Sequence, residues 1–312
     1  MSKWLMSIAV VSALPVVSAL SPISESHKIN FQNRDRRYLL HAPPQSGRPA
    51  PLVLVFHGGS DTPENMEEIS GFSALADRSG FIVAYPEGVE RAWADGRNST
   101  PPERAGVDDV GFARAVVADI GRRFEIDRRR IYATGPSNGG IFAIRLGCEA
   151  ADMLAAIGPV IAGIAEPFAA SCRPSEPIAV VGIQSVADPM VPFGGGEVGE
   201  HNQFARGGRV EGSRATQELW RTLDGCRPEP QVTALPRLVD DGTSVAKRAY
   251  EGCRAGADVE WFEIAGGGHR WPPHTAARPL AERFARRELG VSSQNIDATA
   301  TLWTFFLAHA KH

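Results

Sequence analysis

Residues 130–139 carry the sequence RIYATGPSNG, in which a short apolar run leads directly into a Gly-x-Ser-x-Gly pattern. The run predicts a strand over 130–134, and the apolar residues that follow the pattern predict a helix over 138–148. A sharp strand-to-helix turn strains the serine between the glycines and exposes its hydroxyl, while the glycines avoid steric clashes. We therefore expect Ser137 to be a nucleophile. The alternative is a Gly/Ser turn that only begins a helix.

Strands and helices are predicted to alternate on both sides of this turn. Further strands are predicted over 51–56, 81–85, 177–183 and 259–264, and an edge hairpin over 28–41. Further helices are predicted over 64–78, 108–124 and 295–310. This order predicts the fold class α/β, with a mostly parallel central sheet and helices on both faces. The polar, Gly-rich stretch 194–212 is expected to be an excursion over the site.

A serine nucleophile needs two backbone N–H groups aimed at the oxyanion that forms during the reaction. We expect one from Asn138, the residue after the serine. The other should come from the loop 57–60, His-Gly-Gly-Ser, where the glycines allow close approach of the backbone. Gly59 is the preferred donor and Ser60 the second choice, and Ser60 is also a candidate to contact the substrate. His57 precedes the serine and ends a strand, which favours a structural role.

The serine also needs an imidazole to take its proton. In folds with this order of elements, the acid and then the histidine follow the serine along the chain. His269 lies in the sequence GGGHRWP (residues 266–272), directly after the strand predicted over 259–264. We expect His269 to be the base, with His274 as the second candidate, and activity should fall in acid as the base becomes protonated.

The carboxylate that orients the imidazole should follow a strand between the serine and the histidine. Asp188 lies in the sequence VADPMVP (residues 186–192), after the strand predicted over 177–183. We expect Asp188 to be this acid. Asp240, Asp241 and Asp258 compete with it, although Asp240 and Asp241 precede a glycine in a pattern typical of a hairpin turn.

The first nineteen residues have the layout of a secretory signal peptide. Lys3 supplies a positive charge, residues 4–14 are apolar, and residues 17–19 are small. Cleavage after Ala19 would leave a single catalytic domain over 20–312, secreted or periplasmic and without stable membrane insertion. The alternative is an uncleaved anchor.

Four cysteines fit an oxidising compartment: Cys148, Cys172, Cys226 and Cys253. They allow three pairings, of which neighbour pairing gives Cys148–Cys172 and Cys226–Cys253. No pair has CxxC spacing, so structural disulfides are favoured over a zinc site.

The composition excludes several classes of protein. With 43% hydrophobic and 22% charged residues, the chain is too apolar to be disordered. A net charge of −3 without a basic stripe makes nucleic acid an unexpected partner. We expect no metal and no cofactor.

Several motifs together resemble the secreted poly(3-hydroxybutyrate) depolymerase-like esterases, a group that overlaps the feruloyl and acetylxylan esterases of carbohydrate esterase family 1. The matching stretches are Val55–Gly59, Tyr85–Gly88, Trp93–Arg97, Val107–Phe112, Gly135–Gly140, Cys148–Asp152, Asp188–Pro192 and Gly266–Pro272. The resemblance implies an α/β-hydrolase fold and a carboxylic ester hydrolase with a triad of Ser137, Asp188 and His269. The chain departs from the family at Gln184-Ser185, where His-Gly is frequent, and at Pro136, where Leu or Met is frequent.

The expected substrate is an ester of limited size. We expect feruloyl or acetyl esters of plant polysaccharide fragments, or related small esters, with hydroxybutyrate oligomers as the alternative. Trp93 and Trp271 are candidates to stack on an aromatic acyl group or a sugar ring, and core packing is their alternative role. A non-catalytic exported binding protein on the same scaffold, and an amide hydrolase, are competing hypotheses.

Overall fold

The computed structural model describes residues 24–200, 207–275 and 278–311, so the predicted signal peptide lies outside the described residues. The strands of the main sheet are, in chain order, β1 (Glu25–Phe31), β2 (Arg34–His41), β3 (Ala50–Val55), β4 (Ile82–Pro86), β5 (Ile126–Pro136), β6 (Ala156–Val160), β7 (Ala179–Ser185), β10 (Gln231–Ala234), β11 (Ser244–Tyr250) and β12 (Val259–Ala265). Two short strands, β8 (Gly195–Glu197) and β9 (Arg209–Glu211), pair separately within the predicted excursion. The helices are α1 (Pro63–Ser70), α2 (Phe72–Ser79), α3 (Pro101–Arg104), α4 (Asp109–Arg123), α5 (Ser137–Glu149), α6 (Glu166–Ala169), α7 (Ser213–Leu223), α8 (Pro279–Leu289) and α9 (Ala298–Ala308).

The centre of the main sheet is parallel. Its strand order is β1-β2-β4-β3-β5-β6-β7-β12-β11-β10, and the neighbours from β4 to β12 pair in parallel. Antiparallel strands flank this centre on both sides. Because parallel strands end at the same edge, the segments after β3, β5, β7 and β12 all lie at one edge of the sheet.

Helices cover both faces of the sheet, as the alternation predicts. On one face, α4, α5 and α7 bury apolar side chains such as Phe112, Phe142 and Trp220. On the other face, α1, α2 and α9 bury Met66, Phe72 and Phe306 among others. The predicted α/β fold class, with a mostly parallel central sheet covered on both faces, is confirmed.

Several elements differ from the sequence predictions, among them a helix and a strand of the central part of the fold. The helix predicted over 64–78 is two helices, α1 and α2, because Gly71 takes a left-handed conformation with φ 64° between them. A left-handed residue ends an α-helix, and glycine adopts this conformation without steric cost. Strand β6 was not predicted, because its sequence AIGPV contains the glycine and proline that usually weaken a strand.

Disulfides join Cys148 to Cys172 and Cys226 to Cys253, the neighbour pairing among the three that the sequence allows. The first ties the end of α5 to the segment after α6, and the second ties the segment after α7 to the segment after β11. Among the described residues, no helix combines the length and the apolar character needed to cross a bilayer.

Candidate active site

Ser137 lies in a sharp turn between β5 and α5, as its glycine-flanked motif predicts. Its φ of 53° falls in the left-handed region that residues with a side chain rarely adopt. A Cβ atom at Gly135 or at Gly139 would lie 2.2 Å from the carbonyl oxygen of Phe56, so both positions require glycine. Ser137 is half-buried, and its hydroxyl has no hydrogen-bond partner among the described residues.

The loop after β3 packs against this turn. A Cβ at Gly58 would lie 3.8 Å from Ser137 Cβ, and a Cβ at Gly59 would lie 3.7 Å from Asn138 Cβ. The backbone N–H of Asn138 belongs to the first turn of α5, where N–H groups have no partner within the helix. Ser60 cannot be the alternative second donor, because its N–H donates to the carbonyl oxygen of Arg91 at 2.8 Å. That expectation is wrong, whereas a contact between the exposed Ser60 side chain and substrate stays a prediction.

His57 has the structural role that its sequence position favours. Its Nε2 accepts a hydrogen bond from Gly88 N–H at 2.9 Å, so the proton is on Nδ1, which lies 2.7 Å from the carbonyl oxygen of Gly58. Burial lowers the pKa of His57 from its ordinary value, which keeps the ring neutral. Both ring nitrogens are occupied, so His57 is not available as a base.

Asp188 and His269 form a hydrogen-bonded pair at the edge where β7 and β12 end. His269 Nδ1 lies 2.8 Å from Asp188 Oδ2 and 3.0 Å from Oδ1. The Asp188 side chain is fully buried, and its Oδ1 also accepts the N–H groups of Met190 and Val191. These bonds fix the carboxylate, which in turn orients the imidazole, so that Nε2 is the ring nitrogen left for other partners.

The competing residues lie elsewhere or have other partners. Asp258 bonds to His309, Asp241 bonds to Asn295, and Asp240 pairs with Arg237 while almost entirely exposed. His274 has no hydrogen bond to a carboxylate within the described part of the chain.

Ser137 and His269 lie at the same edge of the sheet without a hydrogen bond between them in the described residues. His269 is carried by the loop after β12 and contacts Asp188 after β7, two strands from β5 in the sheet order. Neighbouring strands are about 4.8 Å apart, and β12 is three strands from β5, so about 14 Å of sheet separates the strand ends that carry Ser137 and His269. Contacts between catalytic groups are often long in a ligand-free enzyme and shorten when substrate binds.

Trp93 and Trp271 do not have the substrate-stacking role proposed for them. Trp93 is 0% exposed, stacks on Phe142 with 5.2 Å between ring centroids, and packs edge-on against Phe56. Trp271 is 3% exposed, and its indole N–H donates to Thr299 Oγ1 at 3.1 Å. Neither indole has an open face, so their core-packing role is the correct one.

A buried polar network beside the serine was not predicted from the sequence. Asp95 is fully buried, pairs with Arg97 at 2.8 Å, and accepts a hydrogen bond from Asn138 Nδ2 at 2.6 Å. Asp109 pairs with Arg36 at 2.7 Å and accepts the N–H of Ala94 at 2.8 Å. The signal was present, since both aspartates lie in motifs that match the family, but a sequence motif does not show what a carboxylate contacts.

Among the described residues, no cluster of three or more His, Cys, Asp or Glu is placed to hold a metal ion.

Comparison of the chain with known proteins shows the family to which it belongs. The family model described as "Esterase PHB depolymerase" matches residues 36–191. The "Putative esterase NocK" of Nocardia uniformis subsp. tsuyamanensis is 33% identical over 92% of this chain and 85% of its own length. "Feruloyl esterase B" of Piromyces equi is 28% identical over 70% of this chain, which spans 39% of that longer protein. The solved acetyl xylan esterase from Aspergillus awamori superposes with a TM-score of 0.56 at 12% identity, covering 80% of this chain and 96% of that one, which supports the fold.

The fold and the named relatives together show that the chain is an α/β-hydrolase and a carboxylic ester hydrolase. The chain belongs to the PHB depolymerase-like esterase family, which includes feruloyl esterases among its relatives.

Proposed function

We propose that the protein is a secreted serine esterase with Ser137 as nucleophile, His269 as base and Asp188 as the orienting acid. The observation that carries this proposal is the buried Asp188–His269 pair at the sheet edge where the strained, unbonded Ser137 also lies. The preferred substrates are feruloyl or acetyl esters of plant polysaccharide fragments, or related small esters.

The proposed mechanism is acyl transfer in two steps. Ser137 Oγ attacks the ester carbonyl carbon while its proton moves to His269 Nε2. The resulting oxyanion accepts hydrogen bonds from the N–H groups of Asn138 and Gly59. The bond to the alcohol then breaks, and His269 returns the proton to the leaving alcohol. Water next attacks the acyl-serine with His269 again as base, which releases the acid and restores the hydroxyl.

Asp188 acts through its hydrogen bond to His269 Nδ1. That bond holds the proton on Nδ1, so Nε2 faces the serine unprotonated, and it stabilises the imidazolium that forms after proton transfer. The N–H groups of Met190 and Val191 keep the carboxylate in this orientation.

Single substitutions at the three groups test the mechanism. Ser137→Ala and His269→Ala should each lower kcat by about 10⁴-fold or more on a chromogenic acetate ester, and Asp188→Asn by a comparable factor. His309→Ala is the matched control, because His309 also bonds to a carboxylate, that of Asp258 at 3.2 Å. Asp258 directly precedes β12 and so lies at the opposite edge of the sheet, and full activity is expected for this variant. An active Ser137→Ala enzyme would overturn the proposal.

The substrate class needs a direct comparison on one preparation. Methyl ferulate, an acetylated xylan and a hydroxybutyrate oligomer should be compared by kcat/KM. We expect the ferulate or the acetylated xylan to be preferred, as the names of the feruloyl esterase relatives favour. The description of the matching family model favours the oligomer as the second candidate. The amide of ferulic acid should be assayed beside methyl ferulate. A hundredfold higher kcat/KM for the amide would reject both the polysaccharide-ester and the oligomer hypotheses.

We also propose that residues 1–19 are removed on export and that 20–312 form one catalytic domain. The two disulfides support an oxidising compartment, because such bonds persist outside the reducing cytosol. N-terminal sequencing of the exported protein should begin at Leu20. A mature protein that retains residues 1–19 would favour the uncleaved anchor.

A further inference from the structure

Trp93 contacts both loops that carry the proposed oxyanion donors. Its indole N–H donates to the carbonyl oxygen of His57 at 2.9 Å, in the loop that leads to Gly59. Its backbone N–H donates to Asn138 Oδ1 at 2.8 Å, and its carbonyl oxygen accepts Asn138 Nδ2 at 3.2 Å. One buried residue therefore fixes the loop after β3 relative to the first turn of α5.

Asp95 completes the attachment of the Asn138 side chain. Its Oδ2 accepts Asn138 Nδ2 at 2.6 Å, and neither side chain is open to solvent. Arg97 pairs with the same carboxylate and also donates to the carbonyl oxygen of Gly207 at 2.8 Å. The Asn138 side chain thus has hydrogen-bond partners at both its oxygen and its nitrogen, and residues 93 and 95 supply them.

The Trp93–Asp95 segment is itself anchored to two helices. Ala94 N–H donates to Asp109 at the start of α4, and its carbonyl oxygen accepts Arg145 Nη1 of α5 at 2.8 Å. Asp109 is held in turn by the buried Arg36. With both flanks fixed, the segment cannot shift without breaking several buried hydrogen bonds, each of which is costly to leave unmade.

We propose that the Trp93–Asp95 segment is a positioning element that sets the two oxyanion donors at their working separation. The donors Gly59 and Asn138 come from different strands, and catalysis requires both N–H groups to meet at one point. Among the described residues, no hydrogen bond joins the segment to Ser137 or His269, so its effect is on transition-state stabilisation and not on the base. This inference rests on the proposed function.

Asn138→Ala is the direct test, because it keeps the backbone N–H and removes only the side chain that the segment holds. We expect kcat to fall about 10- to 100-fold with KM changed less than about twofold, since complete loss of one oxyanion donor costs about 10²- to 10³-fold. The pH dependence of kcat/KM should be unchanged, because His269 and Asp188 are untouched. Labelling of Ser137 by a phosphonate, whose oxygen occupies the same hole, should slow in proportion to kcat.

The matched control is Gln217→Ala. Gln217 is also a fully buried amide, and it makes hydrogen bonds with Ser213, Glu263 and Tyr250 away from the serine turn. We expect this variant to lose stability as Asn138→Ala does while keeping kcat. An equal fall of kcat in the two variants would show a general effect of destabilisation and overturn the proposal.

Asp95→Asn is a second and milder test of the same element. The amide oxygen of the new side chain can still accept from Asn138, so kcat should fall less than in Asn138→Ala. In the double variant Asp95→Asn/Asn138→Ala, kcat should be no lower than in Asn138→Ala alone, because both changes act through the same hydrogen bond. Additive losses would contradict the proposal.

Trp93→Phe addresses the second loop by removing the indole N–H donated to His57. Trp220→Phe is its control, since Trp220 is equally buried and its indole nitrogen has no partner among the described residues. We expect a selective fall of kcat in the Trp93 variant only. Unchanged kcat in Trp93→Phe and Asn138→Ala, with Ser137→Ala inactive, would reject the positioning role alone, whereas an active Ser137→Ala enzyme would reject the proposed function.

Discussion

The two glycines around Ser137 are required by the close approach of β3 to α5. At Gly139 a Cβ atom would lie 2.2 Å from Phe56 O and 2.6 Å from His57 O, both of them backbone atoms that cannot swing away. The glycines of the motif are thus explained by packing, and the same packing brings the loop after β3 to Ser137.

Replacing Gly139 by alanine gives a test in which steric and helical effects have opposite signs. Alanine within a helix is normally more stable than glycine by about 1 kcal/mol. At position 139 we expect the free energy of unfolding, measured in urea, to fall by at least about 1–3 kcal/mol, because the backbone must move to make room for the methyl group. Gly194→Ala, where a Cβ has nothing within 4 Å, should change stability by less than about 0.5 kcal/mol. A Gly139→Ala protein as stable as wild type would contradict the steric argument.

Some parts of the candidate site could be predicted from the sequence and others could not. The sequence predicted the turn at Ser137 and the loops of Asp188 and His269 because each follows a strand and carries turn-forming neighbours. It did not predict the role of Trp93, because a sequence does not show which ring faces are covered. Burial among Phe56 and Phe142 decides this role, and those contacts are long-range.

At the scale of elements, the end of α7 holds a buried carboxyl group. Asp224 caps this helix with no exposed surface, and its Oδ1 accepts the N–H of Ile178 at 3.1 Å while Oδ2 has no partner in the described chain. Burial raises the pKa of Asp224 to about 7. A carboxyl whose pKa is higher in the folded state than in the unfolded state destabilises the fold as pH rises, because the unfolded chain releases the proton more readily.

Asp224→Asn should therefore remove a pH-dependent loss of stability. Between pH 5 and pH 8 the advantage of the variant over wild type should grow by about 2.6 kcal/mol, from the pKa difference between a free carboxyl and the buried one. Urea unfolding at the two pH values measures this difference. The exposed Asp240→Asn serves as control and should show no such growth, and a pH-independent difference for Asp224→Asn would refute the interpretation.

The two disulfides are predicted to stabilise separate elements by similar amounts. Their sequence separations are 24 and 27 residues, which correspond to about 3–4 kcal/mol each in the chain-entropy model. The double variants Cys148→Ala/Cys172→Ala and Cys226→Ala/Cys253→Ala should each lose about that much in the free energy of unfolding. Adding a reductant to either variant should cause a further loss, whereas a variant of wild-type stability would show that its bond contributes nothing.

At the scale of the whole molecule, the edge hairpin of β1 and β2 and most of the parallel centre were predictable, whereas β6 and the flank formed by β10 and β11 were not. Strands such as β3 are apolar along their whole length because both faces are covered, and that pattern is visible in sequence. Strand β10 is exposed along its whole length and β11 is mostly half-buried, and both mix polar and apolar residues, so no clear periodicity marks them. The order of the strands is set by pairing between segments that are distant in the chain. Asp188 and His269 come into contact because this order places β7 beside β12.

The central claim is that Ser137, activated by His269, forms a covalent bond to the acyl group. Mass spectrometry of the protein after reaction with a fluorophosphonate, followed by peptide mapping, tests it most directly. We predict one adduct per chain on Ser137 in wild type, none in Ser137→Ala, and strongly slowed labelling in His269→Ala but not in His309→Ala. An adduct on a different residue, or labelling that is unaffected by loss of His269, would contradict the account.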